Sequence, residues 1–214
     1  MPTVYICGDS TVQTYNSSYY PQAGWGQMIP NYFTTNVKFD NRAIGGRSSR
    51  TFITEGRLDS ILSVIKPNDY LFVQFGHNDA DSSKPERYCA PYTTYKDYLR
   101  QYVDRARQYN AIPVLITPVA RLHYVNGAFV NDFPDYCTAM KQVATEKNCL
   151  LIDLMTKSLN YLTSVGYNEA YTLYMVSSNG TDYTHFTEKG ATQMARLVAQ
   201  GVKEINVTIS QYVK

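Results

Sequence analysis

The sequence predicts an α/β fold in which helices cover both faces of a parallel β-sheet. Along the 214 residues, short apolar runs alternate with stretches typical of helices, and this alternation favours parallel strands joined by helical crossovers. The run Tyr70–Phe75 is almost continuously apolar, as strands buried on both faces are. No repeat, low-complexity segment or linker divides the chain, so we expect residues 1–214 to form one domain that buries its own core.

Five runs are predicted as strands because each is short, apolar and bounded by turn-forming residues. In chain order they are Val4–Cys7, Val37–Arg42, Tyr70–Phe75, Ile112–Thr117 and Cys149–Asp153. A loop rich in tyrosine, asparagine and serine follows the first strand, from Gln13 to Gln22. The tail from Glu204 onwards favours neither helix nor strand.

Five segments are predicted as helices from apolar side chains at helical spacing. They are Trp25–Phe33, Ile53–Ile65, Tyr92–Tyr109, Asp132–Lys147 and Thr187–Val202. The segment Lys-Pro-Asn-Asp at 66–69 ends the second of them. Thr187 is placed to cap the last one.

The charge balance excludes several classes of partner. The formal net charge is +2 without a basic tract, so we expect no nucleic-acid partner. No apolar run is long enough to span a membrane, and we expect no membrane partner.

The N-terminus shows no signal-peptide pattern, which fits either a cytoplasmic protein or a mature domain whose leader was removed. No sustained apolar surface stripe is evident, so we expect a monomer.

The four cysteines predict no metal site, because they form no C-x-x-C pattern and no other ligand spacing. Cys7 and Cys149 lie in predicted strands and are expected in the core. Cys89 and Cys137 lie in or near loops and could pair in an oxidising compartment. We favour free thiols for these two.

The stretch after the first strand is the strongest candidate for chemistry. Residues 8–11 read Gly-Asp-Ser-Thr, which places Ser10 at the carboxyl end of a strand, where open α/β sheets bind ligands. A serine there becomes a nucleophile if a base reaches it. The alternative is that Asp9 and Ser10 only cap a turn or a helix.

A base and an orienting acid are available shortly before the last helix. The chain has three histidines, His77, His123 and His185. Asp182 precedes His185 by three residues, so its carboxylate could hold one ring nitrogen while the other faces Ser10. The alternative is that both are ordinary turn residues.

Two other strand ends offer hydrogen-bond donors for an oxyanion. Asn78 follows the third strand, and its amide could donate to developing charge, which is worth about 3 kcal/mol in acyl-transfer enzymes. Gly46 follows the second strand and could turn its backbone N–H into the same site. The alternatives are a helix-capping asparagine and a loop glycine that is needed only for a positive φ.

Taken together, these stretches resemble the four blocks of an SGNH hydrolase of the GDSL family, centred on Ser, Gly, Asn and His. They occur in family order from residue 8 to residue 185 and so span nearly the whole chain. Two positions depart from the pattern: Thr11 stands where leucine is usual, and Ala43 stands where many members carry glycine. The G-x-S-x-G elbow of the common α/β hydrolases is absent.

Four stretches narrow the resemblance to the rhamnogalacturonan acetylesterase branch, which removes acetyl groups from pectic polysaccharide. They are Gly-Asp-Ser-Thr at 8–11, Asn-Arg-Ala-Ile-Gly-Gly-Arg-Ser-Ser-Arg at 41–50, Gln-Phe-Gly-His-Asn-Asp at 74–79 and Asp-Tyr-Thr-His-Phe at 182–186. The resemblance implies a flavodoxin-like three-layer α/β/α sandwich with a five-stranded parallel sheet and no metal or organic cofactor.

Carried over by position, the resemblance assigns roles to five residues. It implies Ser10 as nucleophile, His185 as general base and Asp182 as its orienter. It implies the backbone N–H groups of Ser10 and Gly46 and the amide of Asn78 as the oxyanion hole. The implied substrate is an acetylated polysaccharide or oligosaccharide, which favours an extracellular location and leaves a cytoplasmic one open.

Three other functions stay in view. They are a GDSL esterase or lipase acting on lipid or small acyl esters, an acetylesterase acting on xylan, and a carbohydrate-binding domain without turnover. The absence of a long apolar lid segment disfavours the lipase. The presence of Ser10, Asp182 and His185 together disfavours a purely binding role.

Several residues near these blocks are candidates for substrate contact. Arg47 could bind a galacturonate carboxylate or form a surface ion pair. His77 and Asp79 flank Asn78 as supporting or capping residues, and Arg121 and His123 follow the fourth strand and could line the cleft. A further set comprises aromatic residues: Trp25, expected in the core, and Tyr15, Tyr19 and Tyr20, which could form a sugar-contacting rim or an ordinary solvated loop.

Overall fold

The computed structural model describes residues 1–214, and nine strands follow one another along the chain. They are β1 (Thr3–Gly8), β2 (Gln22–Ala23), β3 (Lys38–Asn41), β4 (Tyr70–Gln74), β5 (Ile112–Ile116), β6 (Tyr124–Val125), β7 (Ala128–Phe129), β8 (Leu150–Ile152) and β9 (Phe186–Thr187). The five that were predicted, β1, β3, β4, β5 and β8, form one sheet in which every neighbouring pair is parallel. The parallel sheet is therefore confirmed.

The strand order decides where a ligand can bind. Across the sheet the order is β3-β1-β4-β5-β8, which is 2-1-3-4-5 when the five strands are counted along the chain. This is the flavodoxin-like order, and its crevice opens at the carboxyl ends of the first and third strands, where the winding direction reverses. Here these strands are β1 and β4, with Gly8 in register with Gln74.

Nine helices pack on the two faces of the sheet. They are α1 (Trp25–Met28), α2 (Ser49–Thr54), α3 (Arg57–Leu62), α4 (Lys96–Gln108), α5 (Pro134–Glu146), α6 (Leu154–Val165), α7 (Tyr167–Leu173), α8 (Val176–Asn179) and α9 (Glu188–Ile205). One group of contacting helices contains α1, α6, α7 and α9, and another contains α2, α3, α4 and α5. The predicted three-layer α/β/α architecture is confirmed.

Three predicted helical segments are helical in the structure but divided or irregular. The segment from Ile53 to Ile65 contains the predicted amphipathic helix as α3, and α2 precedes it. The two are separate because Gly56 adopts a left-handed φ of +75° that α-helical backbone does not continue through. The first predicted helix changes after Met28 into a 3₁₀ turn, Ile29–Tyr32, since Pro30 has no N–H to donate to the preceding turn. A π-helical turn, Pro91–Tyr95, precedes α4.

The sequence prediction missed the elements between residues 154 and 187. Gly166 separates α6 from α7 and Gly180 ends α8, with φ of +81° and +80°. These helices are short, so no one of them gives a long periodic signal. The two-residue strands of β2–β9 and β6–β7 are too short to show alternation. Thr187 caps α9 as predicted, its hydroxyl accepting from the N–H of Gly190 at 3.2 Å.

One continuous cluster of 58 buried residues forms the core. Trp25 is fully buried in it, as predicted. All four cysteines are free thiols, and Cys89 and Cys137 are buried. None of the helices is long and apolar enough to cross a membrane.

Candidate active site

Ser10 lies in a turn that a buried carboxylate holds in place. The turn begins where β1 ends, and the side chain of Asp9 points inward, fully buried. Its Oδ1 accepts from the backbone N–H of Thr11 at 2.9 Å and from the Thr11 hydroxyl at 2.7 Å. With Asp9 and Thr11 both turned into the protein, the side chain of Ser10 between them stays partly exposed.

Buried polar groups extend this support beneath the turn. The amide of Gln74, at the end of β4, donates to the Thr11 hydroxyl at 3.0 Å. The indole N–H of Trp25 donates to Gln74 Oε1 at 2.8 Å. Since these groups are fully buried, each bond is costly to lose, and the chain from Trp25 to Asp9 fixes the position of Ser10 relative to the sheet.

Ser10, His185 and Asp182 form one continuous line of hydrogen bonds. Ser10 Oγ lies 2.8 Å from His185 Nε2, and His185 Nδ1 lies 2.7 Å from Asp182 Oδ2. An ionised carboxylate only accepts, so Nδ1 carries the ring proton and Nε2 is free to accept from the serine. Serine, imidazole and carboxylate in this order are the arrangement that activates a serine for attack on a carbonyl.

Hydrogen bonds from the residues that follow Asp182 stabilise its ionised carboxylate. Burial raises its pKa, but the backbone N–H groups of His185 and Thr184 and the His185 ring outweigh burial and lower the pKa below its ordinary value. Both N–H groups donate to Oδ1 at 2.9 Å. The other oxygen, Oδ2, is left for the His185 ring.

One tertiary contact and one local turn hold His185 beside Ser10, 175 positions away in the sequence. Strand β9 begins directly after His185 and pairs antiparallel with β2, which lies in the loop that follows Ser10. On the other side, Asn179 Oδ1 accepts from the backbone N–H of Asp182 at 3.0 Å. The segment that carries Asp182 and His185 is thus fixed at both ends.

Two backbone N–H groups and one side-chain amide are the candidate donors for an oxyanion at this site. The backbone N–H groups of Ser10 and Gly46 donate to no acceptor within the protein. Gly45 lies against the serine, since a Cβ on it would lie 3.3 Å from the Ser10 Cβ. Asn78 Nδ2 donates to the Arg47 carbonyl at 3.0 Å, which leaves its second N–H unused. Of the three predicted donors, Ser10 and Asn78 line one cleft, and Gly46 directly follows the residue that lies against the serine.

These groups open into a cleft of about 300 Å³. The lining includes Ser10, His77, Asn78, Arg87, Arg121 and His185. Gly46 and Arg47 lie beside the cleft and are not part of its lining. No group of three or more His, Cys, Asp or Glu side chains is arranged to hold a metal ion.

Residues 4–198 match the model of a family described as GDSL-like Lipase/Acylhydrolase. The chain belongs to the GDSL-like lipase/acylhydrolase family. This membership confirms the resemblance and the predicted enzyme class, a carboxylic ester hydrolase.

Individual relatives cover almost the whole chain. The chain is 58% identical over 208 residues to the Probable rhamnogalacturonan acetylesterase YesY of Bacillus subtilis (strain 168), covering 97% of this chain and 95% of the relative. It is 36% identical over 219 residues to the Rhamnogalacturonan acetylesterase RhgT of the same strain, covering 98% of this chain and 93% of RhgT. Among solved structures, Bacillus subtilis protein YXIM superposes with a TM-score of 0.87 at 32% identity, covering 97% of this chain and 58% of that one.

Two arginines in the cleft of this GDSL-family site have different partners. Arg121, a predicted candidate, donates from Nε to Thr184 Oγ1 at 2.8 Å. Arg87 was missed, because it lies in a polar loop without a motif, and it pairs with Asp81 at 2.6 Å. Arg47 takes the alternative role that was left open: its guanidinium forms an ion pair with Glu55 at 3.0 Å.

The side chains around Asn78 support the cleft. His77 Nε2 lies 2.9 Å from the Val119 carbonyl, to which it must donate. Burial lowers the pKa of His77, so its ring is held neutral. The ring packs on Phe133 with centroids 4.4 Å apart. His77 therefore forms a rigid wall of the cleft.

The predicted tyrosine rim divides into two groups. Tyr15 donates its hydroxyl to the Ser10 carbonyl at 2.7 Å, and burial raises its pKa to about 12. Tyr15 thus supports the serine turn. Tyr19 and Tyr20 are exposed and remain available for contact. His123, the other predicted cleft residue, lies outside the cleft, with Nδ1 2.6 Å from Asp132 Oδ1.

Asp79 joins the Asn78 loop to helix α2. It is fully buried and accepts from the backbone N–H of Ser49, the first residue of α2, at 3.1 Å and from the Ser49 hydroxyl. It is therefore a helix cap supplied from a distant loop. Burial raises the pKa of Asp79 from 3.8 to about 7, although the bonds from Ser49 lower it in part.

We expect Asp79 to make stability depend on pH. Because its pKa is higher in the folded chain than in the unfolded one, the folded state binds more protons, and stability falls as pH rises. The free energy of unfolding should drop by about 2–3 kcal/mol between pH 5 and pH 8 through this group alone. Urea unfolding of the wild type and of Asp79→Asn at both pH values measures the difference. An equal pH dependence in both proteins would contradict it.

Proposed function

We propose that the chain is a serine esterase that removes acetyl groups from rhamnogalacturonan, a pectic polysaccharide. The observation that carries this proposal is the line of hydrogen bonds from Ser10 through His185 to Asp182 at an open cleft. The substrate class is supported by the names of two relatives that match over nearly their full length.

The proposed reaction proceeds through an acetyl-enzyme. His185 Nε2 takes the proton of Ser10 Oγ as the oxygen attacks the acetyl carbonyl, and Asp182 stabilises the imidazolium that forms. As the tetrahedral intermediate collapses, the imidazolium gives that proton to the departing sugar oxygen. Water, deprotonated by the neutral His185, then attacks the acetyl carbon. As this second intermediate collapses, the bond from the acetyl carbon to Ser10 Oγ breaks, the imidazolium returns the proton to Oγ, and acetate leaves.

The negative charge of the intermediate is proposed to lie among the N–H groups of Ser10, Gly46 and Asn78. All three have N–H groups that are unused within the protein. Donors that are already oriented lower the barrier because they need no rearrangement when the charge develops. No metal or organic cofactor is required for these steps.

We expect Asn78→Ala to lower kcat by about 10²- to 10³-fold, with a much smaller change in KM. The lost N–H acts on the oxyanion more than on the bound ester, so the effect belongs to the chemical step. Steady-state kinetics on an aryl acetate measures it. Asn160→Ala, an exposed asparagine of α6, is the matched control. A rise in KM at constant kcat would indicate substrate binding instead.

The cleft itself favours a polar substrate with a small acyl group. Phe133 is its only large apolar side chain, whereas Arg87, Arg121 and Asp81 are among its polar ones. A long acyl chain would find little apolar surface to bury there. This disfavours the lipid-ester alternative.

The test of the substrate is acetate release from acetylated rhamnogalacturonan and acetylated xylan in parallel. We expect faster release from the pectic polymer, and acetyl aryl esters should be cleaved far faster than octanoyl esters. Release mainly from xylan would support the proposed esterase activity and contradict the proposal of a pectic substrate. No release from either polymer, with octanoyl esters cleaved, would favour the lipid-ester alternative.

The setting of the enzyme is also a proposal. We propose that residues 1–214 act as one catalytic unit, as a monomer and without a nucleic-acid or membrane partner. Because the proposed substrate is a polymer, we propose that the enzyme acts outside the cell. Size-exclusion chromatography with light scattering checks the monomer, and activity in the culture medium of a producing strain checks the location.

A further inference from the structure

The peptide group that joins Gly45 to Gly46 carries one of the proposed oxyanion donors. Its N–H belongs to Gly46 and its carbonyl belongs to Gly45. This peptide bond is trans, so the carbonyl and the N–H point in opposite directions within one plane. A contact that holds the carbonyl of Gly45 therefore also sets the direction of the Gly46 N–H.

The side chain of Arg47 holds this carbonyl. Arg47 Nη1 donates to the Gly45 carbonyl at 2.9 Å, and Nε of the same guanidinium pairs with Glu55 at 3.0 Å. Because a guanidinium is planar, two anchored nitrogens fix its orientation. Glu55 offsets its positive charge, so the Arg47 side chain is engaged by contacts within the protein.

The N–H of Gly45 is tied to the serine turn. It donates to Gln13 Oε1 at 2.6 Å, and the backbone N–H of Gln13 donates to the Asp9 carbonyl at 3.1 Å. Gly45 has little freedom there, because a Cβ on it would lie 3.1 Å from Gln13 Oε1 and 3.3 Å from the Ser10 Cβ. Gln13 and Arg47 thus hold the two polar groups of Gly45 beside the serine.

The backbone of Arg47 contacts a second proposed donor. Asn78 Nδ2 donates to the Arg47 carbonyl at 3.0 Å, and this bond sets the direction of the remaining N–H of the planar amide. Arg47 therefore orients Gly46 through its side chain and Asn78 through its carbonyl. Donors that are oriented before the reaction need no rearrangement when the negative charge forms.

We propose that Arg47 is a positioning residue of the oxyanion hole. Its guanidinium fixes the peptide between Gly45 and Gly46. As a charged donor to the carbonyl, it also polarises that peptide, so that the Gly46 N–H becomes a stronger donor. This inference rests on the proposed esterase function. It gives Arg47 an effect on the chemical step without contact with the substrate.

Arg47→Gln should lower kcat by about 10- to 100-fold, which is the value of a hydrogen bond from a charged donor, with little change in KM. Because the effect arises at the oxyanion, the loss should be equal on an uncharged aryl acetate and on acetylated rhamnogalacturonan. Arg47→Lys keeps a charged donor and should recover part of the loss. A role in binding the polymer would instead raise KM on the polymer and leave the aryl acetate unaffected.

A nuclear magnetic resonance measurement tests the peptide without turnover. Gly45 and Gly46 form the only Gly-Gly pair in the sequence. Cell-free synthesis with glycine that carries ¹³C in the carbonyl and ¹⁵N in the amide labels this pair. A spectrum that correlates each amide with the preceding carbonyl then contains one signal, from the Gly46 N–H and the Gly45 carbonyl. Arg47→Gln should move this signal, because the carbonyl loses its donor, and Arg47→Lys should move it less.

Arg57→Gln is the matched control. Arg57 pairs with the same Glu55 at 2.7 Å but makes no hydrogen bond to Gly45, so this variant should keep the wild-type kcat. Thermal unfolding of all three variants is measured in parallel, and kcat is calculated per folded molecule. A loss of activity in Arg47→Gln that only follows a loss of folded protein would assign Arg47 a purely structural role and overturn the proposal.

The outcomes separate the positioning role from the function. A lowered kcat on both substrates together with a moved signal supports the positioning role. Wild-type kcat in Arg47→Gln, or a signal that stays in place, overturns the positioning role and leaves the esterase unaffected. A wild-type protein that cleaves no ester overturns the proposed function, and with it the role of Arg47 in catalysis, even if the signal moves.

Discussion

Replacing Ser10 with alanine should lower kcat/KM on acetyl esters by about 10⁴-fold or more. The hydroxyl is the group that would attack the carbonyl, and nothing near it can take over that role: His185 is the only neighbour that its Oγ contacts by a hydrogen bond. The donors of Gly46 and Asn78 remain in Ser10→Ala, so a small residual rate over water is expected. Initial rates of acetate release on an aryl acetate measure the effect.

The fold of Ser10→Ala should be unchanged. The bonds that shape the turn come from Asp9, Thr11 and the backbone, and the mutation removes none of them. Ser17→Ala, in an exposed turn of the next loop, is the matched control and should keep full activity. An alanine variant that folds normally and retains wild-type activity would rule out the proposed nucleophile.

Asp182→Asn should lower kcat by about 10⁴-fold, as the same exchange does in serine-protease triads. An asparagine can still accept the N–H groups of Thr184 and His185 through its carbonyl oxygen. Its amide would then donate to His185 Nδ1, which forces the ring proton onto Nε2. A protonated Nε2 cannot accept the proton of Ser10, so the loss falls on the chemical step.

The pH dependence and the thermal stability of Asp182→Asn show whether Asp182 acts on the position of the His185 ring proton or on the stability of the fold. Because the pKa of Asp182 is lowered, the wild-type carboxylate is ionised across the neutral range and its role there does not change with pH. We expect the loss in Asp182→Asn at every pH from 6 to 9, together with an unchanged thermal unfolding midpoint. Asp97→Asn, in the exposed first turn of α4, is the control. A lowered midpoint that accounts for the lost activity would assign Asp182 a structural role.

The sequence was sufficient for the central sheet because strands buried on both faces have a strong local signal. Tyr70–Gln74 is buried at every position, and its composition alone marks it as a strand. Weakly periodic parts were harder to predict: Gly56 divides a run that reads as one amphipathic helix, and α6 to α8 are short. Residues with special backbone angles decide these boundaries, and their angles depend on the surrounding packing.

The candidate site shows the same division. Four of the predicted residues lie just after a strand or just before the last helix: Ser10, Gly46, Asn78 and His185. The topology of a parallel sheet therefore predicted that they lie at the same edge of the sheet. Arg87 carries no comparable signal, because a single arginine in a polar loop looks like any solvated charge. For Arg47, the sequence left two roles open, and the ion pair with Glu55 depends on where α2 ends.

The sequence by itself determined the fold class, the family and the residue types that serine ester chemistry requires, because each depends on short-range pattern or on motifs kept in order along the chain. Only the tertiary structure decided which groups meet. The pairing of β2 with β9 brings His185 to Ser10, and the fold leaves Arg121 without an anionic partner between the cleft and a neighbouring cavity. Such contacts join residues far apart in sequence, and their energies depend on distance and burial, which arise only when the chain packs.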